Sequence, residues 1–141
     1  MSQSVIEFLG GKRLFGAGVA RVDLLAEVEK GLPLRAYEAV AKALELTPAE
    51  QDRLFQVRPR TRARWKRHAR FDPATSDCVA RLARILSLAV EVLESRANAV
   101  VWLREPSDEL SGRSPLAAIA TDPGAEKVSN MLYRMEHGVY A

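Results

Sequence analysis

The chain has 141 residues, a formal net charge of +3 and one cysteine, with 48% hydrophobic and 28% charged residues. This length and composition suit a packed globular domain and exclude a disordered or collagen-like chain. Cys78 alone cannot form an internal disulfide, which predicts a reducing, cytoplasmic location. Two scattered histidines and one cysteine exclude a structural zinc site. No apolar run approaches the roughly 18 residues of a membrane span, and Glu7 interrupts the N-terminal apolar patch, so no secretory signal is expected.

The small net charge hides a strongly basic stretch. Residues 58–70, called the basic segment below, contain seven Lys or Arg and no Asp or Glu. The other 128 residues hold 14 Lys or Arg against 18 Asp or Glu, so they carry a net charge of −4. A localised block of cations on an acidic chain is typical of a polyanion site, although a solvated charged face is the common alternative.

In the first third of the chain, the positions of glycine and proline predict short helices. An apolar patch at residues 4–9 ends at two glycines, and a Gly-Ala-Gly loop follows at 16–18. Asp23 can cap a helix that stops at Gly31, just before a proline. The apolar period of residues 34–46 predicts the next helix.

Residues 47–70 predict a helix-turn-helix. The Thr-Pro-Ala-Glu sequence at 47–50 is a capping box with proline at the first helical position, which predicts a short helix there. After a break at Pro59, a second helix is predicted over residues 60–69. Two short helices joined by a tight turn are the arrangement in which the second helix enters the major groove of DNA.

On a helical wheel, the basic segment separates into a packed face and a cationic face. Trp65 falls on one arc with Thr61, His68 and Ala69, and the cations fill the remainder. Such cations contact DNA phosphates, and arginine also reads guanine edges in the major groove. An acidic protein partner remains the alternative. The residues predicted to bind DNA are Arg58, Arg60, Thr61, Arg62, Arg64, Lys66 and Arg67.

The second half of the chain predicts one long helix and three shorter ones. Ser76 is expected to cap a helix over residues 77–96, whose wide apolar face suits packing against several helices or a second subunit. A short helix at 99–103 follows, and Ser-Pro at 114–115 and Asp-Pro at 122–123 begin two more. No segment alternates for long enough to form a confident strand, so the chain is predicted to be all-α.

The C-terminal end is rich in aromatic and methionine side chains. Because chain ends fray unless something holds them, this composition favours either a terminal helix docked on its own domain or a protein interface. Trp102 is similarly open to two interpretations, a core anchor or a partner contact. The predicted partner contacts are Trp102, Met131, Tyr133, Arg134, His137 and Tyr140.

An enzyme is the contrasting class. The glycines at residues 10–11 and 16–18 lack the spacing of a phosphate-binding loop and follow no predicted strand. Cys78 is predicted near the start of a helix, where a thiolate is favoured, but no histidine neighbours it in sequence. We therefore expect a protein that is not an enzyme and that needs no cofactor.

Several short segments, taken in order along nearly the whole chain, form a recognisable pattern. They are Gly31-Leu32-Pro33, Leu44-Glu45-Leu46-Thr47, the basic run through Thr61, Trp65 and Lys66, Ser76-Asp77, residues 81–86 and 89–93, Val101-Trp102-Leu103, Pro106, Leu110, Gly112, Pro115-Leu116, Thr121, Gly124, Val128 and Gly138. Together they resemble the Xre/MbcA/ParS family of bacterial type II antitoxins.

The resemblance implies an N-terminal Xre-like helix-turn-helix domain followed by a small helical toxin-binding domain. The division is expected at residues 1–71 and 72–141, with the helix-turn-helix over about 34–70 and a central dimerisation helix after it. The implied partners are a RES-domain toxin that degrades NAD or transfers its ADP-ribose, operator DNA of the protein's own operon, and a second copy of the chain. The C-terminal region would cover the NAD pocket of the toxin, and Tyr133, Arg134, His137 and Tyr140 are predicted to approach it.

Two positions depart from the family pattern. Gln56 occupies the turn position where a helix-turn-helix commonly carries glycine, and Arg62 stands where an apolar residue is expected. Both departures argue against a standard DNA reader. The alternative function is a stand-alone helix-turn-helix transcriptional regulator without a toxin partner.

Overall fold

The fold is described from a computed structural model, for the backbone of residues 2–138 and the side chains of residues 5–19 and 22–138. The described chain forms ten α-helices: α1 (Ser2–Phe8), α2 (Gly11–Phe15), α3 (Leu24–Lys30), α4 (Leu34–Ala43), α5 (Pro48–Phe55), α6 (Pro59–Arg64), α7 (Pro73–Leu93), α8 (Arg96–Arg104), α9 (Pro115–Ala118) and α10 (Asp122–Glu136). Short 3₁₀ turns lie at Gly16–Arg21, Trp65–Arg67 and Asp108–Leu110. The predicted all-α fold class is confirmed.

The central helix of the fold is α7, which packs against α1, α3, α4, α8 and α10. Its inward side chains Val79, Leu82 and Leu86 are at most 1% exposed. The wide apolar face that favoured a second subunit is therefore covered largely by helices of the same chain. Dimerisation through this helix stays a prediction.

The start of α7 differs from the prediction. Asp72, rather than Ser76, caps the helix by accepting the backbone N–H of Thr75 at 2.9 Å, and Pro73 occupies the first turn. Ser76 is fully buried, and its hydroxyl oxygen accepts the backbone N–H of Leu32 at 2.7 Å. The residue expected to begin the helix instead joins it to the chain preceding α4.

The shorter elements follow their local capping residues, with two corrections. The carboxylate of Asp23 accepts backbone N–H groups at the start of α3, and the capping box at residues 47–50 is complete. The predicted loop at 16–18 belongs instead to a 3₁₀ turn. The helix predicted at 99–103 is longer because Ser95 caps it, and it begins at Arg96. Over residues 2–138, no helix is long and apolar enough to cross a membrane.

The chain enters and leaves the α4–α6 region at neighbouring points. An isolated antiparallel bridge joins Pro33 to Arg70, and the backbone N–H of Phe71 donates to the carbonyl of Leu32 at 2.9 Å. Gly31 allows this close approach, because its φ is +95° and a Cβ there would lie 2.3 Å from the carbonyl oxygen of Phe71. We call this contact the strand-like clasp.

Candidate functional site

The helices α5 and α6 form the predicted helix-turn-helix pair, and a left-handed residue joins them. Gln56 has φ 53° and ψ 45°. Its backbone N–H donates to the carbonyl of Arg53 at 3.2 Å, and that of Val57 donates to the carbonyl of Asp52 at 3.0 Å. Gln56 thus adopts the conformation that glycine commonly supplies at the end of a helix, so the turn is retained despite the departure from the family pattern.

The second helix is shorter than predicted. Its first residue is Pro59, which needs no N–H partner there, and α6 ends at Arg64. A 3₁₀ turn follows at Trp65–Arg67, and His68 and Ala69 lie exposed beyond it. Thr61 is exposed as well. The prediction of one helix over residues 60–69 was wrong in length, and the packed face of the segment is formed chiefly by Trp65.

Trp65 ends the helix by packing into a cluster of four aromatic rings. Its ring centroid lies 5.2 Å from Tyr37, 5.3 Å from Phe55 and 5.0 Å from Phe71, each in an edge-to-face arrangement. Pairs of this geometry add to the free energy gained by burial alone. Burial, opposed by the nearby charge of Arg62, raises the pKa of Tyr37 to about 12. The cluster fixes the end of α6 against α4 and α5.

Arg62 has a different environment from most of the basic segment. Its side chain is 25% exposed, and its Nε lies 2.5 Å from Oδ1 of Asp52 in α5. The ion pair takes the place of the apolar contact that the family pattern predicts. The pair holds α6 on α5, and contact of Arg62 with DNA stays a prediction. The exposed cations around α6, called the cationic surface, are Arg58, Arg60, Arg64, Lys66 and Arg67.

Arg104, the last residue of α8, reaches across to the turn between α4 and α5. Its Nη1 lies 2.6 Å from Oε2 of Glu50, and its Nη2 lies 3.1 Å from Oε1. The same Nη2 donates to the carbonyls of Leu44 at 3.0 Å and Glu45 at 2.6 Å. Burial raises the pKa of Glu50, but the hydrogen bonds from Arg104 and Thr47 together outweigh it and lower the pKa overall. Sequence reasoning missed Arg104 because Glu50 lies 54 residues away.

The helix α10 presents part of the predicted partner surface. Tyr133 is 42% exposed, and His137 lies exposed just beyond the helix. Arg134 is half-buried and forms an ion pair with Glu109. Gly124 sets the start of α10, because a Cβ there would lie 1.8 Å from the carbonyl oxygen at the end of α9. The exposed residues therefore lie toward the C-terminal end of a helix whose first turn is tightly fixed.

The other predicted partner residues are placed differently. Met131 is only 8% exposed and packs in the core, so the prediction of a surface contact there is corrected. Trp102 is half-buried and packs against the core, which favours its interpretation as an anchor. Tyr140 lies outside the described residues.

A groove of about 650 Å³ runs beside Tyr133, between α1, α3, α7 and α10. Leu25, 67% exposed on α3, also lines it. Within the groove, Nη2 of Arg81 lies 2.6 Å from Oδ1 of Asp122 and forms an ion pair with it. Its apolar lining includes Val5, Ile6, Ile85, Leu88 and Ala125.

Cys78 lies in the second turn of α7 rather than at its start. Its thiol is half-buried and 3.9 Å from the carbonyl oxygen of Leu54. Burial raises the pKa of the thiol, which disfavours the thiolate that a helix start would favour. Among the described residues, no group of three or more His, Cys, Asp or Glu side chains is arranged to hold a metal ion.

Two consecutive family models match the regions that contain these surfaces. The antitoxin Xre-like helix-turn-helix domain matches residues 23–84, and the antitoxin Xre/MbcA/ParS C-terminal toxin-binding domain matches residues 88–138. The first match contains α5, α6 and the cationic surface. The second contains α8, α10 and both Arg104 and Tyr133.

Curated relatives and a solved structure show the same similarity. An antitoxin Xre of Yersinia enterocolitica is 28% identical over 132 residues, covering 92% of this chain and 89% of that protein. One of Pseudomonas putida is 30% identical over 93 residues, covering 66% of this chain and 58% of that protein. A chain in the crystal structure of the M. tuberculosis MbcT–MbcA toxin–antitoxin complex shares the fold, with a TM-score of 0.53 and 23% identity over 85% of this chain and 100% of that chain. The chain therefore belongs to the Xre/MbcA/ParS family of antitoxins.

Proposed function

We propose that this protein binds and neutralises a RES-domain toxin that degrades NAD or transfers its ADP-ribose. The observation that carries the proposal is the match of residues 88–138 to a toxin-binding domain, directly after a helix-turn-helix domain. The structural neighbour comes from a complex between a toxin and its antitoxin, which supports a protein toxin as the partner. The protein acts by binding and not as an enzyme, and it needs no cofactor.

The C-terminal end of α10 is the surface proposed to cover the NAD pocket of the toxin. Tyr133 offers an exposed aromatic ring of the type enriched at protein interfaces, and His137 is exposed one turn later. Arg134, half-buried beside Glu109, adds a guanidinium at the same end. Tyr140 follows in sequence and is included in the proposal.

A second activity in this proposal is binding to operator DNA, which represses the protein's own operon. The supporting observation is the cationic surface around α6, whose apolar side is anchored by Trp65 while its arginines face solvent. Arginines on a short, rigidly held element can neutralise phosphates and read guanine edges. The proposal includes a homodimer, because two-fold related helix-turn-helix units read two half-sites of an operator. It also places the protein in the cytoplasm. In this proposal, residues 1–71 form the DNA-binding part of the chain and residues 72–141 form the toxin-binding part.

Co-expression with the neighbouring toxin gene tests the main proposal. Wild type is expected to restore growth and to co-purify with the toxin. A chain truncated after Glu136 keeps the buried part of α10, and it is expected to lose protection while remaining folded. Failure of the full chain to bind the toxin or to rescue growth would contradict the antitoxin function. Retained DNA binding in that case would instead favour the stand-alone regulator.

A further inference from the structure

The contact between Arg104 and Glu50 joins the two parts of the chain that separate family models match. Arg104 belongs to the toxin-binding domain, and Glu50 lies in the first turn of the helix-turn-helix. The two terminal guanidinium nitrogens of Arg104, Nη1 and Nη2, donate to the carboxylate oxygens of Glu50 at 2.6 and 3.1 Å. A bidentate, charge-assisted pair is stronger and more directional than a single neutral hydrogen bond. The pair therefore fixes the start of α5 relative to α8.

The same guanidinium also holds the end of α4. Arg104 donates to the carbonyls of Leu44 and Glu45, the two residues that directly follow α4. Glu45 has φ 56°, a left-handed conformation that is uncommon for residues other than glycine. One side chain thus holds both sides of the turn between α4 and α5.

A second ion pair joins α5 to α6. Asp52 lies two residues after Glu50 on α5 and binds Arg62 of α6 at 2.5 Å. The helix α5 is therefore held by Arg104 at its first turn and holds α6 through Asp52. The contacts thus run from Arg104 through α5 to α6, whose far end the aromatic cluster also holds. Phosphate contacts depend on the orientation of α6, because they set the register of a protein on the duplex.

We propose that Arg104 is a positioning residue for DNA binding, through which the toxin-binding domain sets the orientation of α6. The proposal rests on the proposed DNA-binding function. Arg104 acts through Glu50 and α5 and does not itself touch the nucleic acid. Its loss weakens DNA binding although every side chain of the cationic surface is kept.

The test measures affinity for a duplex from upstream of the protein's own gene, over a series of salt concentrations. The full-length variants are Arg104→Gln, Arg104→Lys and Glu50→Gln. Glutamine at residue 50 still serves a capping box but lacks the charge that pairs with Arg104. The matched control is Arg113→Gln, because among the described residues the Arg113 side chain donates within its own loop, to the carbonyl of Leu110 at 3.2 Å.

Arg104→Gln and Glu50→Gln are expected to weaken DNA binding by about 2- to 30-fold. Arg104→Lys is expected to weaken it less, and Arg113→Gln is expected to leave it unchanged. The slope of log affinity against log salt stays at the wild-type value, because none of these changes removes a cation that neutralises a phosphate. The double variant of Arg104→Gln and Glu50→Gln is expected to bind DNA no more weakly than Arg104→Gln alone, since Arg104→Gln already breaks the ion pair that Glu50→Gln breaks. Toxin binding provides the check that each variant is folded.

Several outcomes would overturn the proposal. Wild-type affinity in Arg104→Gln would remove the positioning role, and additive losses in the double variant would show that Arg104 and Glu50 act independently. A slope reduced by about 0.9 would make Arg104 a phosphate contact instead. Failure of the wild type to bind the duplex would be a different result, because it would contradict the DNA-binding function itself. If Arg104→Gln failed to bind toxin, Glu50→Gln and Arg104→Lys would decide the question.

Discussion

The helix-turn-helix surface and the end of α10 are built in opposite ways. Around α6 the cations are exposed and the large apolar side chain, Trp65, is buried. On α10 the aromatic ring of Tyr133 is exposed, whereas the nearby charge of Arg134 is paired with Glu109. The first surface suits a polyanion, and the second suits a protein. A charge pattern therefore reveals only one of the two surfaces, since the other carries its chemistry in an exposed ring.

The largest expected effect separates the two surfaces through their dependence on salt. Changing Arg60, Arg64 and Arg67 together to Ala should reduce the slope of log DNA affinity against log salt by about 2 to 3, at roughly 0.9 for each phosphate that is no longer neutralised. Toxin protection should be unchanged, because these side chains belong to the helix-turn-helix domain and not to the residues that match the toxin-binding domain. DNA titrations and growth rescue measure the two effects. A loss of protection with an unchanged slope would assign the cationic surface to the toxin and remove the distinction between the two surfaces.

A smaller effect is expected from the exposed ring on α10. Tyr133→Ala should weaken toxin binding by about 2 kcal/mol, the scale of a strong interface contact, and leave DNA affinity unchanged. The matched control is Val101→Ala, which shortens another exposed apolar side chain of the toxin-binding domain, 58% exposed on α8. Calorimetry of the purified complex measures both. Equal losses in the two variants would show that the toxin surface extends over α8 and is not centred on α10.

The smallest effect concerns the buried side of the helix-turn-helix, and its pH dependence appears only at alkaline pH. Burial raises the pKa of Tyr37 from 10.0 to about 12, so the unfolded chain ionises first as the pH rises. The stability due to its neutral hydroxyl is present below pH 10 and is lost between about pH 10 and 12. At neutral pH, the free energy of unfolding of Tyr37→Phe should be about 1 kcal/mol below that of wild type, because the hydrogen bond to Gln51 is missing. As the pH rises, the free energy of unfolding should fall less in Tyr37→Phe than in wild type. Urea unfolding at pH 9 and pH 11 measures this difference, and parallel losses in the two proteins would contradict it.

The features that the sequence predicted well are those whose causes lie within a few residues. Asp23 caps α3, and the capping box at 47–50 begins α5, because both depend on side chains that bind nearby backbone. The errors have distant causes. Trp65 packs among rings from three other segments and shortens α6, and Ser76 bonds to Leu32, 44 residues earlier.

The same distinction between local and distant causes applies to the candidate sites. The excess of cations at residues 58–70 could be counted in the sequence, but the pairing of Arg62 with Asp52 depends on how α5 and α6 meet. Exposure of Tyr133 and burial of Met131, two residues apart, depend on which side of α10 faces α7. The aromatic and methionine content indicated a contact surface without showing which side chains were free.

The strand-like clasp has a consequence for how the molecule can change over evolutionary time. Because Pro33 and Arg70 are paired, the segment between them leaves and rejoins the fold at almost the same place. Such a segment can be exchanged for another only if the new one keeps an apolar helix face for α7, because α4 packs on that helix. It must also offer a carboxylate to Arg104 in the first turn of the helix that takes the place of α5. If the cationic surface binds operator DNA as proposed, recombination at the clasp provides a new operator specificity while the toxin-binding end is inherited intact.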